Sequence, residues 1–404
     1  LLLIRICSNN GLLKNVQTSM RRSFTTFLIL IAASSMARMI GPSQLPAERV
    51  IRNLEARLAK NPKDGEAEYL LGRTHYALYC AGDPRVIALY GTDAAPRFPS
   101  THPSLWEFQE IKPQKDPKQI SRAKSAIKHL QKAVHLGGGE PGLYELTLAC
   151  AFEASSQDAP SVQMHATRKS FLTSARSWYI RSFQESRPKD VTRPYAQMPM
   201  TYENWISIEA AAGVLRIDPK SSLKKEIEAH RLAMSKLPSG PITPLIFSLT
   251  TKKSLNELLD SSRIVKFDLD GTGAPQQYAW VKPTTAFLVW QPYKGNAIRS
   301  GRQLFGSATW WLMPPNAYAA MSLLDDNTDG WLTGRELLSL AVWQDSNQNG
   351  VAEPREVNSV SSVGIAGLKT SYDARAGQSL VSLRGLRMSD GRIIPSYDWV
   401  TSAR

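Results

Sequence analysis

Between residues 46 and 80 the chain reads PAERVIRNLEARLAKNPKDGEAEYLLGRTHYALYC. Val50, Ile51, Leu54 and Leu58 recur there at the three-to-four spacing that lines one face of a helix. The stretch NPKDG breaks that helix, and Ala67, Leu70, Leu71, Thr74, Ala77 and Leu78 start a second. The pattern returns over 123–153, where Ile127, Leu130, Ala133 and Val134 form one stripe, GGGEP interrupts, and Leu143, Leu146, Ala149 and Phe152 form the next. A looser third copy covers 171–190 and 202–219. Later the period changes. Strands are predicted around 264–268, 278–290 and 380–400, the last folded back at Asp390-Gly391, a dipeptide suited to a hairpin turn.

The helix–turn–helix unit, with Leu71-Gly72 in its second helix, resembles the tetratricopeptide repeat. Ala67, Leu71, Gly72 and Ala77 fall where small or apolar residues let neighbouring helices approach. The copies are degenerate, and an insert at 82–117 carrying Trp106 and Phe108 separates them. The resemblance implies a helical repeat domain over 38–250 that holds a protein or peptide partner on a concave face.

Further along stand DDNTDGWLTGRE at 325–336 and DSNQNGVAEPRE at 345–356, their starts twenty residues apart. Both satisfy D-x-[DN]-x-[DN]-G-x5-E, the calcium loop of the EF-hand. Ca²⁺ is a hard ion that takes roughly six to eight oxygens at about 2.3–2.6 Å. Side chains at positions 1, 3 and 5 converge on it, glycine at 6 accepts the reversal of the chain, and position 7 offers a backbone carbonyl. Position 9 reaches the ion directly or through water, and glutamate at 12 closes the shell. The expected ligands are Asp325, Asn327, Asp329, Trp331, Thr333 and Glu336, then Asp345, Asn347, Asn349, Val351, Glu353 and Glu356. Trp331 and Val351 contribute through their carbonyls. Each loop holds three carboxylates, a moderate charge that suits structural calcium in extracellular modules. The eight residues between the loops, LLSLAVWQ, would form one short helix of about two turns, serving both loops.

Around these loops the chain resembles bacterial secreted EF-hand calcium-binding proteins, some of which also carry hemolysin-type repeats. The resemblance covers about 264–368 and rests on the order FDLDG, AW, FLVW, GRQLFG and then the two loops. It implies further acidic loops at FDLDG and after FLVW. Here Thr272 and Gln276 replace acids after Asp268 and Asp270. Gln291, Tyr293, Gly295, Arg299 and Gln303 stand where the second of those loops would place ligands, so calcium is expected to be lost there.

A formal charge of +14 over 404 residues reads as a solvated surface, because Lys and Arg are scattered and not in blocks; no nucleic-acid partner is expected. From Met20, taken as the true start, two arginines precede an apolar run from Phe24 to Ala33 and small residues through Ala37. This is the pattern of a signal peptide occupying 1–37, cut after Ser35-Met36-Ala37, and it predicts an exported protein, periplasmic or secreted. No transmembrane span is predicted in the mature chain. Cys80 and Cys150 read as small buried residues, with a disulfide between them as the alternative. The six histidines form no HxxxH or HExxH pair. No nucleophile elbow, P-loop, dinucleotide fingerprint or zinc motif occurs, so no enzyme is predicted.

Together these readings predict a mainly α chain: tetratricopeptide-like helical hairpins, followed over 255–404 by an α+β EF-hand domain with a small β-sheet or hairpins. The predicted function is calcium binding through two loops in an exported protein whose helices mediate protein interaction. The alternative is a cell-surface adhesion or anionic-polysaccharide-binding protein with structural calcium.

Overall fold

The computed structural model describes residues 45–81, 116–192, 203–234, 241–271, 275–292 and 297–404. The leader expected at 1–37 lies outside these residues, as does the insert at 82–117 apart from its last two positions.

Helices occupy Ala47–Lys60 (α1), Gly65–Ala81 (α2), Pro117–Leu136 (α3), Pro141–Ala154 (α4), Arg168–Thr192 (α5), Glu203–Ile217 (α6) and Lys224–Met234 (α7). In α1 the stripe Val50, Ile51, Leu54 and Leu58 is buried, leaving a polar face that carries Arg49, Arg52 and Lys60. Asp116 caps α3 by accepting from the Lys118 amide, and Pro117 follows at the first helical position, where its missing N–H costs nothing. Gly72 lies at the crossing of α2 and α3. A Cβ there would sit 2.7 Å from Leu130 Cγ, so only glycine permits the approach. Cys80 and Cys150 are free thiols, and no disulfide joins them. Among the described residues no helix is long and apolar enough to cross a membrane.

After α7 the chain is built on strands. These are Pro241–Ile242 (β1), Leu245–Ser248 (β2), Leu259–Phe267 (β3), Gln276–Val281 (β4), Thr285–Trp290 (β5), Trp331–Thr333 (β6), Leu340–Trp343 (β7), Val357–Ser359 (β8), Ile365–Lys369 (β9), Ala374–Ala376 (β10), Ser379–Met388 (β11), Ile393–Asp398 (β12) and Thr401–Ser402 (β13). Nine of them form one sheet in the order β6-β9-β11-β12-β2-β5-β7-β8, with β10 on the edge of β11. Every pair is antiparallel. β3 pairs with β4 and β1 with β13 as separate two-stranded ribbons.

This sheet corrects the expectation of a mainly α chain whose C-terminal part is an α+β EF-hand domain with only a small sheet or hairpins. It also corrects the helix expected between the loops. Leu340–Trp343 is a strand there, pairing Phe287 with Trp343 and Trp290 with Leu340. Two isolated turns gain little as a helix, because nucleation is costly. As β7, the same four residues lie fully buried beside β5, whose six residues are buried without alternation. Ser339, at a φ of 69°, turns the chain into that strand.

Phe267, Trp280, Phe287 and Trp343 form an aromatic cluster with centroid separations of 5.3–6.0 Å beneath the second loop. Helices and sheet belong to one compact unit, Pro42–Arg404. Fully buried Arg73 of α2 joins them, donating from Nε and Nη2 to the Trp311 carbonyl at 3.3 and 3.1 Å.

Candidate metal centre

The two twelve-residue loops fold with one hydrogen-bond pattern. In the first, Asp325 accepts from the amides of Asp329 (3.2 Å) and Gly330 (2.9 Å). Asn327 accepts from the Asp329 amide and Asp329 from the Trp331 amide. In the second, Asp345 accepts from the amides of Asn349 (3.0 Å) and Gly350 (2.9 Å). Asn347 accepts from the Asn349 amide and Asn349 from the Val351 amide. Positions 1, 3 and 5 therefore turn their oxygens inward in both loops. The chain reverses through the same two left-handed positions in each: Thr328 and Gly330, then Gln348 and Gly350. Glycine suits the second, while Thr328 and Gln348 are held there against the usual preference.

Position 12 closes each loop. Glu336 accepts from the amides of Asp326 (2.7 Å) and Thr333 (2.9 Å), and with Thr333 it forms a capping box. Glu356 accepts from the amide and hydroxyl of Ser346, at 2.9 and 2.6 Å. Glu353 accepts from the side-chain amides of Asn347 and Asn349.

Four carboxylates carry the electrostatics. Asp325, Glu336, Asp345 and Glu356 are 5, 6, 0 and 3 % exposed. None has a Lys, Arg or His at ion-pair distance among the described residues. Removing a carboxylate from water costs several kcal/mol unless charge or hydrogen bonds compensate. Backbone amides supply part of that compensation, and a cation would supply the rest. Burial, with Glu336 nearby, pushes the Asp325 carboxyl above its ordinary pKa, while the amides of Gly330, Thr328 and Asp329 pull the other way.

The oxygens present fit a hard cation: carboxylates at positions 1 and 12, amide or carboxylate oxygens at 3 and 5, and carbonyls of Trp331 and Val351 at 7. Among the described residues no three His, Cys, Asp or Glu side chains already stand at metal-ligand spacing. Glu336 and Glu356 spend their oxygens on backbone amides, so an ion would take them over from those amides.

The loops leave in different ways. Trp331–Thr333 becomes β6 and pairs with β9, Leu332 opposite Leu368. Val351–Glu353 forms no strand. The two loops are thus not paired with each other through a strand.

Several supporting residues were not singled out from sequence. Trp280 Nε1 donates to Asp345 Oδ2 at 2.7 Å, anchoring the first position of the second loop. The tryptophan of the AW motif was the available signal. Arg263 donates twice to the Gln348 carbonyl, and Gln348 Nε2 donates to the Val281 carbonyl. Asp326 of the first loop accepts from Arg49 and Asn53 of α1, a contact across more than 270 residues with no local signature. Partial desolvation disfavours ionised Asp326, yet the bonds from Arg49 and Asn53 hold its carboxyl below its ordinary pKa.

At the FDLDG segment, Gln276 donates its amide to Asp270 at 2.8 Å. Gln303 accepts from the Arg299 amide and donates to the Ala297 carbonyl. Thr272, Tyr293 and Gly295 lie outside the described residues.

Residues 254–397, which span both loops and β3 to β12, match the SPM domain family. The iron-regulated protein FrpA of Neisseria meningitidis serogroup C is 27 % identical over 202 residues, 48 % of this chain and 16 % of FrpA. The chain thus spans about a sixth of the length of this curated relative, and the SPM match covers 144 of its 404 residues.

Proposed function

We propose that this chain binds two calcium ions, one in each of the loops 325–336 and 345–356. The observation that carries this reading is four buried carboxylates without a basic partner, held in two loops that repeat one set of inward-turned oxygens. The ions would order the loops and stabilise the folded chain, because they bind the native arrangement and not the unfolded one. Moderate carboxylate number suits weak extracellular-type affinity, in line with the export that the leader pattern predicts. The helical hairpins α1 to α7 would serve protein interaction, as the tetratricopeptide-like pattern suggests.

Equilibrium dialysis against labelled calcium tests the ion sites. The intact chain should retain two ions, and Glu336→Gln and Glu356→Gln should each retain one. Retention of two ions in both variants would overturn the assignment. Cross-linking in extracts tests the helical role. Partner cross-links should map to 45–234, and their confinement to 241–404 would contradict it.

A further inference from the structure

Along the first loop, side chains alternate between two tasks. Positions 1, 3 and 5 accept the loop's own amides. Positions 2 and 4 face away and meet helix α1. Asp326 Oδ1 accepts from Arg49 Nε at 2.8 Å and from Asn53 Nδ2 at 2.9 Å. Thr328 accepts from Lys60. The turn leading into the loop is held by the same helix: Asn53 Nδ2 also donates to the Leu323 carbonyl at 3.0 Å, and Arg49 Nη2 to the Leu324 carbonyl at 2.6 Å.

The second loop is docked elsewhere. Its position 4, Gln348, is tied to the β3–β4 ribbon through Arg263 and Val281, and its first position to Trp280. The first loop is thus read by the helical half and the second by the separate β3–β4 ribbon.

The seam between α1 and the first loop carries these hydrogen bonds beside apolar Leu54, Ala319 and Leu323. A cleft of about 560 Å³ opens along it, lined by Asn53, Arg57, Lys60, Asp325, Thr328 and Tyr372. Discrete hydrogen bonds around an open cleft, unlike close apolar packing, can be made and broken with the loop's shape. The carbonyls and side chains that α1 grips belong to the backbone an ion at Asp325 and Glu336 would fix.

We infer that calcium in the first loop, and not in the second, is coupled to the docking of α1. The first site would then set how firmly the helical half is held on the sheet. This rests on the calcium reading above. Coupling is reciprocal: if the ion tightens the helix contact, the contact tightens the ion by the same factor. Loosening the helix must therefore weaken calcium at a loop some 270 residues away.

Asn53→Ala is the chosen perturbation. It deletes the bonds to Leu323 and Asp326, changes no charge, and places a better helix former in α1. Calcium affinity of the full chain is measured in two backgrounds: Glu356→Gln, which leaves the first loop, and Glu336→Gln, which leaves the second. The expected result is an affinity loss of about tenfold in the first background, within the usual range of coupling, and none in the second. The unchanged second site also shows that the variant folds.

Arg49→Ala supplies a check by sign. Removing a cation near a calcium site strengthens binding by Coulomb's law alone. The coupling predicts weakening instead. Equal losses at both loops, no loss at either, or tighter first-loop binding in Arg49→Ala would each overturn the coupling while leaving the calcium sites standing. Absence of calcium binding before Asn53 is altered would remove the calcium reading itself, and the coupling with it.

Discussion

Asp398 gives a direct handle on how burial shapes stability. It ends β12, is 1 % exposed, and accepts from the Ala317 amide at 3.1 Å. No cation stands at ion-pair distance among the described residues. Burial raises its carboxyl from the ordinary 3.8 to about 7. At about 1.4 kcal/mol per pH unit, that difference corresponds to about 4 kcal/mol. The folded pKa lies above the unfolded one, so between about pH 4 and 7 the native state binds more protons than the unfolded chain. Stability from this group is therefore full below about pH 4, falls as pH rises towards 7, and is constant above it. Asp398→Asn retains an oxygen for the Ala317 amide and removes the titration. Urea unfolding of both proteins in saturating calcium, from pH 5 to 8, isolates the effect as their difference. The variant should gain on the parent with rising pH, by about 3 kcal/mol between pH 5 and 7, the part of the titration that this range covers. Stability curves that stay parallel from pH 5 to 8 would refute the reasoning.

Three further outcomes are expected. His75 is buried beside Arg122 and His129, and burial first, then those neighbours, lowers its pKa to about 3. The unfolded chain takes up a proton near 6.5 that the native state refuses, so stability falls as pH drops below that value. His75→Gln should flatten this acid limb in the same urea series. Trp280→Phe keeps an aromatic ring in the cluster and deletes the bond to Asp345. It should weaken calcium at the second loop roughly ten- to a hundredfold, as loss of a hydrogen bond to a charged group implies, and leave the first unchanged by calorimetry. Gly330→Ala and Gly350→Ala both place a side chain at positive φ, about 1–2 kcal/mol each. Only at Gly350 does the new Cβ meet a wall, Val265 Cγ1 at 2.5 Å, so thermal melting should show the second variant to be the weaker.

The parts of this fold that lay open in the sequence are those decided by near neighbours. The α1 stripe needs only residues three and four apart, and its four apolar positions are buried as the spacing predicts. The Asp390-Gly391 turn is equally local: Gly391 has a φ of 85° and joins β11 to β12. The loops also repeat at the level of sequence, and their shared hydrogen bonds follow from residue types at fixed offsets. The sheet did not show itself because its pairings are distant. β2 lies beside β12, with Ile246 opposite Tyr397, and three apolar residues and a serine give no sign of a partner so far along the chain. LLSLAVWQ misled for a related reason. Its apolar spacing fits a helix as well as a buried strand, and only β5 alongside decides between them. The grip of Arg49 and Asn53 on the first loop is wholly a product of tertiary structure.

Calorimetric titration of the full chain with calcium, with a melting curve at each calcium level, tests the central claim most directly. Two bound ions and a melting point that rises with calcium are predicted, with both effects abolished when Glu336 and Glu356 are changed to Gln together. Absence of binding heat, or an undiminished response in that double variant, would contradict it.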